Sequence, residues 1–167
     1  QNMQKMGGLK QYMPITYWTM FIAALASSGV PGFSGFFSKD AIIEAVHFAN
    51  IPGAEFAYFC VLTTVFVTAL YTFRLIFMTF HGQPRMDSHT KEHLHESPWV
   101  VTLPLVVLAI PTVISGWFIG SIVFGDYFAN AIYIASAHDA IEKLRVEFTG
   151  IGGMMIHALS TAPFWLS

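Results

Sequence analysis

Lys39 is the residue in this chain whose position best suits proton chemistry. It is the first charged residue after Lys10 and lies four positions after Gly35, at the start of a helical stretch inside an apolar segment. A lysine at the centre of a membrane helix costs about 2.5 to 3.5 kcal/mol. Burial disfavours the charged ammonium and a nearby carboxylate favours it, so the sequence predicts that Lys39 loads and unloads a proton.

Asp40 and Glu44 are the carboxylates closest to Lys39 in the sequence. They are four positions apart and project from one side of a helix, whereas Lys39 points about 100° away from Asp40. Asp40 is therefore a poor partner for a rigid salt bridge with Lys39. Arg74, on the next predicted helix, is a candidate charge partner for one of the two acids. A structural ion pair with Arg74 and a role in proton relay are both open for them.

Four long stretches without Asp, Glu, Lys or Arg define the elements that position these residues. A helix needs about 20 residues to cross a hydrocarbon core, and the length of each stretch is near or above that number. Only 11% of the residues are charged and 54% are hydrophobic, whereas soluble domains carry about 25% charged residues. The sequence therefore predicts an all-α fold, a polytopic bundle of about four transmembrane spans. The stretches run from Lys10 to Lys39, from Glu55 to Arg74, from Glu96 to Asp126, and from Glu147 onward.

The first span is predicted to be a broken helix over residues 12–49. Gly29, Pro31, Gly32 and Gly35 interrupt its hydrogen-bond ladder and are predicted to form an unwound linker. Transporters place their sites at such discontinuous helices. The other spans are predicted at residues 56–80, 99–124 and 150–167. Because the last of them is truncated, we expect the chain to be a fragment of a larger subunit.

Two kinds of residue have a structural interpretation beside the functional one. If the first span ends near Phe33, Lys39 lies at the interface between membrane and water, and its ammonium reaches lipid headgroups. His47 and His157 lie in or beside membrane segments, where they are possible proton relays. Packing against neighbouring side chains is the more frequent role of such histidines, so both interpretations stay open.

Other classes of site have little support. The polar loop at residues 85–97 holds three histidines and two glutamates, but their irregular spacing favours a solvated loop, and we predict no metal site. The single Cys60 excludes a cluster built on several cysteines. A net charge of −2 gives no electrostatic support for a nucleic-acid partner.

Several motifs, taken in order, resemble a known family. They are MGGL at 6–9 with MPI at 13–15, GFFSKDAII at 35–43, ALYTFRLIF at 69–77 ending in FHG at 80–82, and PFWL at 163–166. They closely resemble subunit L of NADH-quinone oxidoreductase (respiratory complex I) and its mitochondrial counterpart, ND subunit 5. The resemblance covers nearly the whole chain. It implies that the chain is the C-terminal part of the antiporter-like core of that subunit.

The resemblance also implies a function. The family's subunit translocates protons, coupled to NADH oxidation and quinone reduction elsewhere in the complex. The lysine of its second broken helix is assigned to proton exit, and that role carries over to Lys39. A subunit of a cation/proton (sodium/proton) antiporter without redox function is the alternative.

The implied surroundings follow from the same resemblance. The chain would be part of an oxidoreductase without carrying a redox centre, with no cofactor of its own. NADH, FMN, iron–sulfur clusters and quinone are expected in other subunits. Expected partners are the lipid bilayer and other membrane subunits of complex I, especially the neighbouring antiporter-like subunit. The expected location is the bacterial inner membrane, with the mitochondrial inner membrane as the less favoured alternative.

Overall fold

The computed structural model describes residues 2–123, 127, 150–161 and 165, and within them the chain is helical without strands. The predicted all-α fold is thereby confirmed. Short 3-10 turns at Met3–Lys5 and Leu9–Gln11 precede the first α-helix. The α-helices are α1 (Pro14–Ser28), α2 (Ser34–Phe48), α3 (Ala54–Phe80), α4 (Ser88–Glu92), α5 (Trp99–Ile114), α6 (Gly116–Val123) and α7 (Ile151–Ser160).

Two helical segments are long and apolar enough to cross a membrane. Among the described residues they are Ala54–Phe80 and Trp99–Phe118, with mean hydropathies of 1.8 and 2.0. Only 22% and 11% of their most apolar windows are buried, whereas the core helix of a soluble protein hides most of its apolar surface. These faces therefore suit contact with lipid or with other membrane helices. The predicted ends of the last two spans, at residue 124 and after residue 161, lie outside the described residues except for Trp165.

The helix of the predicted first span is interrupted between α1 and α2. Gly29 ends α1 in the left-handed conformation, with φ of +84°, and its amide donates to carbonyls of the last turn of α1. Gly32, with φ of +96°, is also left-handed, a conformation that favours glycine. Pro31 between them lacks an amide donor. The helix resumes after Phe33, so the unwound linker is residues 29–33 and Gly35 lies in the first turn of α2.

Aromatic contacts fix the direction of the broken helix relative to α3. The ring of Tyr17, near the start of α1, lies 5.4 Å from the ring of Phe80 at the end of α3. The ring of His47, at the end of α2, lies 5.1 Å from that of Tyr58 near the start of α3. The two half-helices together therefore run antiparallel to α3.

The helices α5 and α6 together run parallel to the broken helix formed by α1 and α2. Glu96, just before α5, contacts Thr16 at the start of α1. Trp117, in α6, donates its indole N–H to the carbonyl of Gly32 in the linker at 3.2 Å. The last described helix, α7, packs against α2 through a buried apolar cluster, namely Phe36, Phe37, Met154 and Ala158. α6 thus contacts the linker at the break, and α7 packs on the first turn of α2.

Candidate functional site

The side chain of Lys39 bridges the two half-helices across the break. It is half-buried in the second turn of α2, and its ammonium donates to the carbonyl oxygen of Ser27 in the last turn of α1. The carbonyls of a final turn have no partner within their own helix and form the negative end of the helix dipole. The Lys39 ammonium therefore stabilises the C-terminal end of α1. Its hydrogen-bond partner is a backbone carbonyl rather than the carboxylate of Asp40 or Glu44.

Asp40 and Glu44 lie together with His157 from α7. Asp40 is buried, with 8% of its surface exposed, and its Oδ2 atom has no hydrogen-bond partner within the described part of the chain. Glu44 Oε1 lies 3.5 Å from Nδ1 of His157. Arg74, the partner suggested by the sequence, is exposed and forms no ion pair with either acid among the described residues.

His47 is placed apart from this group. Its ring contacts those of Phe48 and Tyr58, at centroid distances of 5.3 and 5.1 Å. These contacts join the end of α2 to the start of α3. The structure thus gives His47 packing partners, while it brings His157 to a carboxylate.

Gly35 has a packing function that its sequence context did not suggest. A Cβ atom at Gly35 would lie 2.7 Å from the carbonyl carbon of Ala26 and would overlap the carbonyl oxygen. Only glycine allows the backbone of α2 to approach α1 this closely. The close approach holds the second turn of α2, and with it Lys39, against the last turn of α1.

A carboxylate from a distant loop caps α1 and so fixes its starting point. Glu96 accepts hydrogen bonds from the backbone amide of Ile15 at 2.6 Å and from the hydroxyl of Thr16 at 2.7 Å. Met13 occupies the N-cap position of α1 and makes no side-chain cap. The absence of Ser, Thr, Asp or Asn there was a usable sign that an acceptor comes from elsewhere, but the sequence does not show which residue supplies it.

The capping contacts also shift the titration of Glu96, which lies before α5 in the polar loop. Partial burial raises the pKa of Glu96, but hydrogen bonds from the Thr16 hydroxyl and the Ile15 amide oppose this and hold that pKa below its ordinary value. A carboxyl with a lowered pKa in the folded state stabilises the fold above its unfolded pKa. That stabilisation is lost as the pH falls through the folded pKa.

We expect Glu96→Gln to lower the free energy of unfolding by about 1 kcal/mol near neutral pH, as for the loss of a helix cap or of a charge at a helix N-terminus. The amide removes the negative charge but keeps the shape of the side chain. The difference from wild type should shrink as the pH falls below about 4, where the wild-type carboxyl is protonated too. Thermal unfolding of the purified membrane protein in detergent, at neutral and acid pH, measures this.

Glu92→Gln is the matched control, because Glu92 is an exposed carboxylate of the same loop. We expect it to leave stability unchanged at both pH values. Equal destabilisation by the two substitutions would show that loop charge, and not the cap on α1, is responsible.

The chain matches family models along most of its length. Residues 1–80 match the model described as "NADH:quinone oxidoreductase/Mrp antiporter, TM". Residues 71–160 match the model of the NADH dehydrogenase subunit 5 C-terminus. The second model covers more than half of the chain, and the two together include α1 to α7.

Curated relatives agree with these models. NADH-quinone oxidoreductase subunit L of Neisseria meningitidis serogroup B is 45% identical over 185 residues, which cover 100% of this chain and 27% of the relative. Its namesake in Rhodobacter capsulatus is 39% identical over 150 residues, 83% of this chain and 21% of the relative. NADH-ubiquinone oxidoreductase chain 5 of Chondrus crispus is 35% identical over 146 residues, 83% of this chain and 22% of the relative.

The chain thus spans about a quarter of the length of the curated relatives it matches. The matches confirm the family resemblance of the motifs and a location in a membrane. With its broken helix and its two apolar spans, this chain belongs to the family of NADH-quinone oxidoreductase subunit L and NADH dehydrogenase subunit 5.

Proposed function

We propose that this chain forms part of a proton-translocating membrane subunit of NADH-quinone oxidoreductase, and that Lys39 binds and releases the proton. The single observation that carries this proposal is the hydrogen bond from the Lys39 ammonium to the Ser27 carbonyl across the helix break. It is the geometry expected of a titratable group at a discontinuous membrane helix. It also weighs against simple snorkelling, in which the ammonium would point to lipid headgroups.

Energetics limit what this contact can do alone. The interaction of a cation with a helix end contributes about 0.3 to 1 kcal/mol, and up to about 2 in partly buried geometry. Moving one charge against 100 mV requires about 2.3 kcal/mol. The helix end can therefore hold the proton but cannot by itself drive it outward. We infer that charges elsewhere in the full subunit switch the proton affinity of Lys39.

The remainder of the proposal concerns the surroundings of the chain. Its partners are other membrane subunits of the complex, in particular a neighbouring antiporter-like subunit, together with the lipid bilayer. NADH, FMN, iron–sulfur clusters and quinone belong to other subunits. The inner membrane of a bacterium is the proposed location, supported by the 45% identity over the whole chain to subunit L of Neisseria meningitidis, against 35% identity over 83% of the chain to chain 5 of Chondrus crispus.

A sodium/proton antiporter subunit is less well supported. The family model at residues 1–80 includes Mrp antiporters, but the relatives described above are named as NADH oxidoreductase subunits. Co-purification of this chain with a membrane-bound NADH dehydrogenase activity would favour the respiratory function. Sodium-dependent transport without that activity would favour the antiporter.

The test is Lys39→Ala in the full subunit, within the assembled complex reconstituted in vesicles. We expect the number of protons moved per NADH oxidised to fall, while assembly and NADH oxidation persist, because the proton-binding group is gone. Lys91→Ala, in the exposed polar loop, is the matched control and should pump like wild type. Unchanged proton transport in Lys39→Ala would refute the role of Lys39.

A further inference from the structure

The helices α5 and α6 bind the first half of the broken helix through polar groups at both ends. Glu96, just before α5, accepts hydrogen bonds from the backbone amide of Ile15 and the hydroxyl of Thr16 at the start of α1. Beyond the end of α1, the indole N–H of Trp117 in α6 donates to the carbonyl of Gly32 at 3.2 Å. The two stretches between these contacts are of similar length. Together, α5 and α6 therefore hold the linker at a set distance from the capped start of α1.

The break leaves backbone carbonyls outside the helical hydrogen-bond ladders, and two of them have side-chain donors. The carbonyl of Ser27, at the end of α1, accepts from the Lys39 ammonium. The carbonyl of Gly32, in the linker at residues 29–33, accepts from the Trp117 indole. An unpaired carbonyl is costly within a membrane, because lipid tails offer it no donor. The two hydrogen bonds therefore fix the backbone on either side of the break.

The linker lies against the side chain of Lys39. A Cβ atom at Gly29 would lie 3.6 Å from Cδ of Lys39, so the lysine stem passes beside the linker as it extends to Ser27. Gly29 and Gly32 both have left-handed backbone, and glycine restricts its own backbone less than any other residue. Contacts with other elements, more than local stiffness, therefore fix the linker and the path that Lys39 follows.

Packing places Trp117 on a different side of α2 from Lys39. The ring of Trp117 lies 6.5 Å from the ring of Phe37. Gly116, the residue before Trp117, allows this approach, because a Cβ there would lie 2.5 Å from Cε2 of Phe37. Phe37 and Lys39 are two positions apart and project about 160° apart around a helix. Trp117 therefore acts on the contact between Lys39 and the end of α1 through the linker.

We propose that Trp117 is a positioning residue for the proton site. By holding the Gly32 carbonyl, its indole N–H keeps the linker where the Lys39 ammonium reaches Ser27. Without that hydrogen bond the Gly32 carbonyl is unpaired and the left-handed glycines let the linker move, so Lys39 loses its acceptor in part of the molecules. A movement of α5 and α6 reaches Lys39 by the same route. The proposal rests on the proposed function, because it names a residue that positions Lys39.

The experiment uses the assembled complex in vesicles and measures the number of protons moved per NADH oxidised. Trp117→Phe keeps an aromatic ring and removes the hydrogen-bond donor. We expect it to lower the ratio part of the way from wild type to Lys39→Ala, while assembly and NADH oxidation persist. Trp99→Phe is the matched control, because Trp99 is an exposed tryptophan at the other end of the same helical span. It should pump like wild type.

A double variant separates positioning of Lys39 from general packing. In Lys39→Ala there is no ammonium left to position, so adding Trp117→Phe should lower the proton-to-NADH ratio no further. A further fall in the double variant would show that Trp117 affects transport by a route other than Lys39, and it would overturn the positioning role.

The outcomes also separate this inference from the proposed function. If Lys39→Ala lowers transport while Trp117→Phe pumps like wild type, the positioning role is wrong and the proposed function stands. If Lys39→Ala is silent, both fail. Should Trp117→Phe prevent assembly, replacement of Trp117 by benzothienylalanine decides the question, since sulfur takes the place of the N–H in a ring of the same shape. A lowered ratio then supports the positioning role, and a wild-type ratio overturns it.

Discussion

Gly35→Ala is expected to prevent the two half-helices from packing and to remove most of the folded subunit from the membrane. The added Cβ would lie 2.7 Å from the carbonyl carbon of Ala26 and would overlap the carbonyl oxygen. Extra atoms in a packed core cost about 1 to 3 kcal/mol when side chains can adjust. Here the opposing atoms are backbone, so α1 and α2 must separate, and we expect a loss at or above the upper end of that range.

The measurement is the amount of assembled subunit in membranes, with the midpoint of thermal unfolding in detergent for whatever assembles. Gly152→Ala is the matched control, because Gly152 is also in a helix but has open space where its Cβ would lie. Helix propensity predicts a gain of up to about 1 kcal/mol there. Wild-type stability of Gly35→Ala would show that α1 and α2 are not in contact at this point.

Gly35 also connects packing to the candidate site. The close approach at Ala26 places the second turn of α2 next to the last turn of α1, where Lys39 reaches Ser27. Any Gly35→Ala protein that still assembles should therefore show weakened proton transport. The glycine acts by positioning Lys39, without itself taking part in proton transfer.

The sequence predicted the local features of this region better than the contacts between distant residues. Gly29, Pro31 and Gly32 marked the break, because left-handed backbone and a missing amide are properties of single residues. Gly35 carried the same local signal but serves a close helix contact. Composition alone could not separate a linker glycine from a packing glycine, because the difference is made by Ala26, nine positions earlier in the chain.

Side-chain contacts between elements that are distant in the sequence could not be predicted from local sequence patterns. Arg74 was a sensible partner for Asp40 or Glu44 by charge and by its place on the next helix, yet the residue that meets Glu44 is His157 of α7. Likewise Glu96 was interpreted as part of a solvated loop and instead caps α1. Both contacts depend on which helices become neighbours. Hydrophobic periodicity tells which face of a helix is apolar, but it does not tell which helix covers that face.

Gly116→Ala is expected to destabilise the contact between α6 and α2 by about 1 to 3 kcal/mol, the usual cost of overpacking. A Cβ at Gly116 would lie 2.5 Å from Cε2 of Phe37 and 3.0 Å from Cα of Ser34. Phe37 is 3% exposed and is held against α7 in the apolar cluster, so its ring cannot simply swing away. Thermal unfolding of the assembled protein in detergent measures the loss.

The clash at Gly116 is mainly with the side chain of Phe37, so a second substitution can relieve it. The clash at Gly35 is with backbone atoms and cannot be relieved in this way. Phe37→Leu shortens the opposing group, so the double variant Gly116→Ala with Phe37→Leu should lose less stability than the sum of the two single variants. Contacting residues typically show such coupling at about 0.5 to 3 kcal/mol. Strict additivity would mean that Gly116 and Phe37 do not touch.

The corresponding double variant at the helix break should show no rescue. Ala26→Gly removes only a methyl group, whereas the atoms that oppose a Cβ at Gly35 are the carbonyl carbon and oxygen of Ala26, which every residue type retains. Gly35→Ala with Ala26→Gly should therefore remain as poorly assembled as Gly35→Ala alone. A Cβ at Gly35 meets backbone atoms, whereas a Cβ at Gly116 meets mainly the ring of Phe37. Rescue at Gly116 and none at Gly35 would therefore show that direct backbone contact holds α2, and so Lys39, at the end of α1.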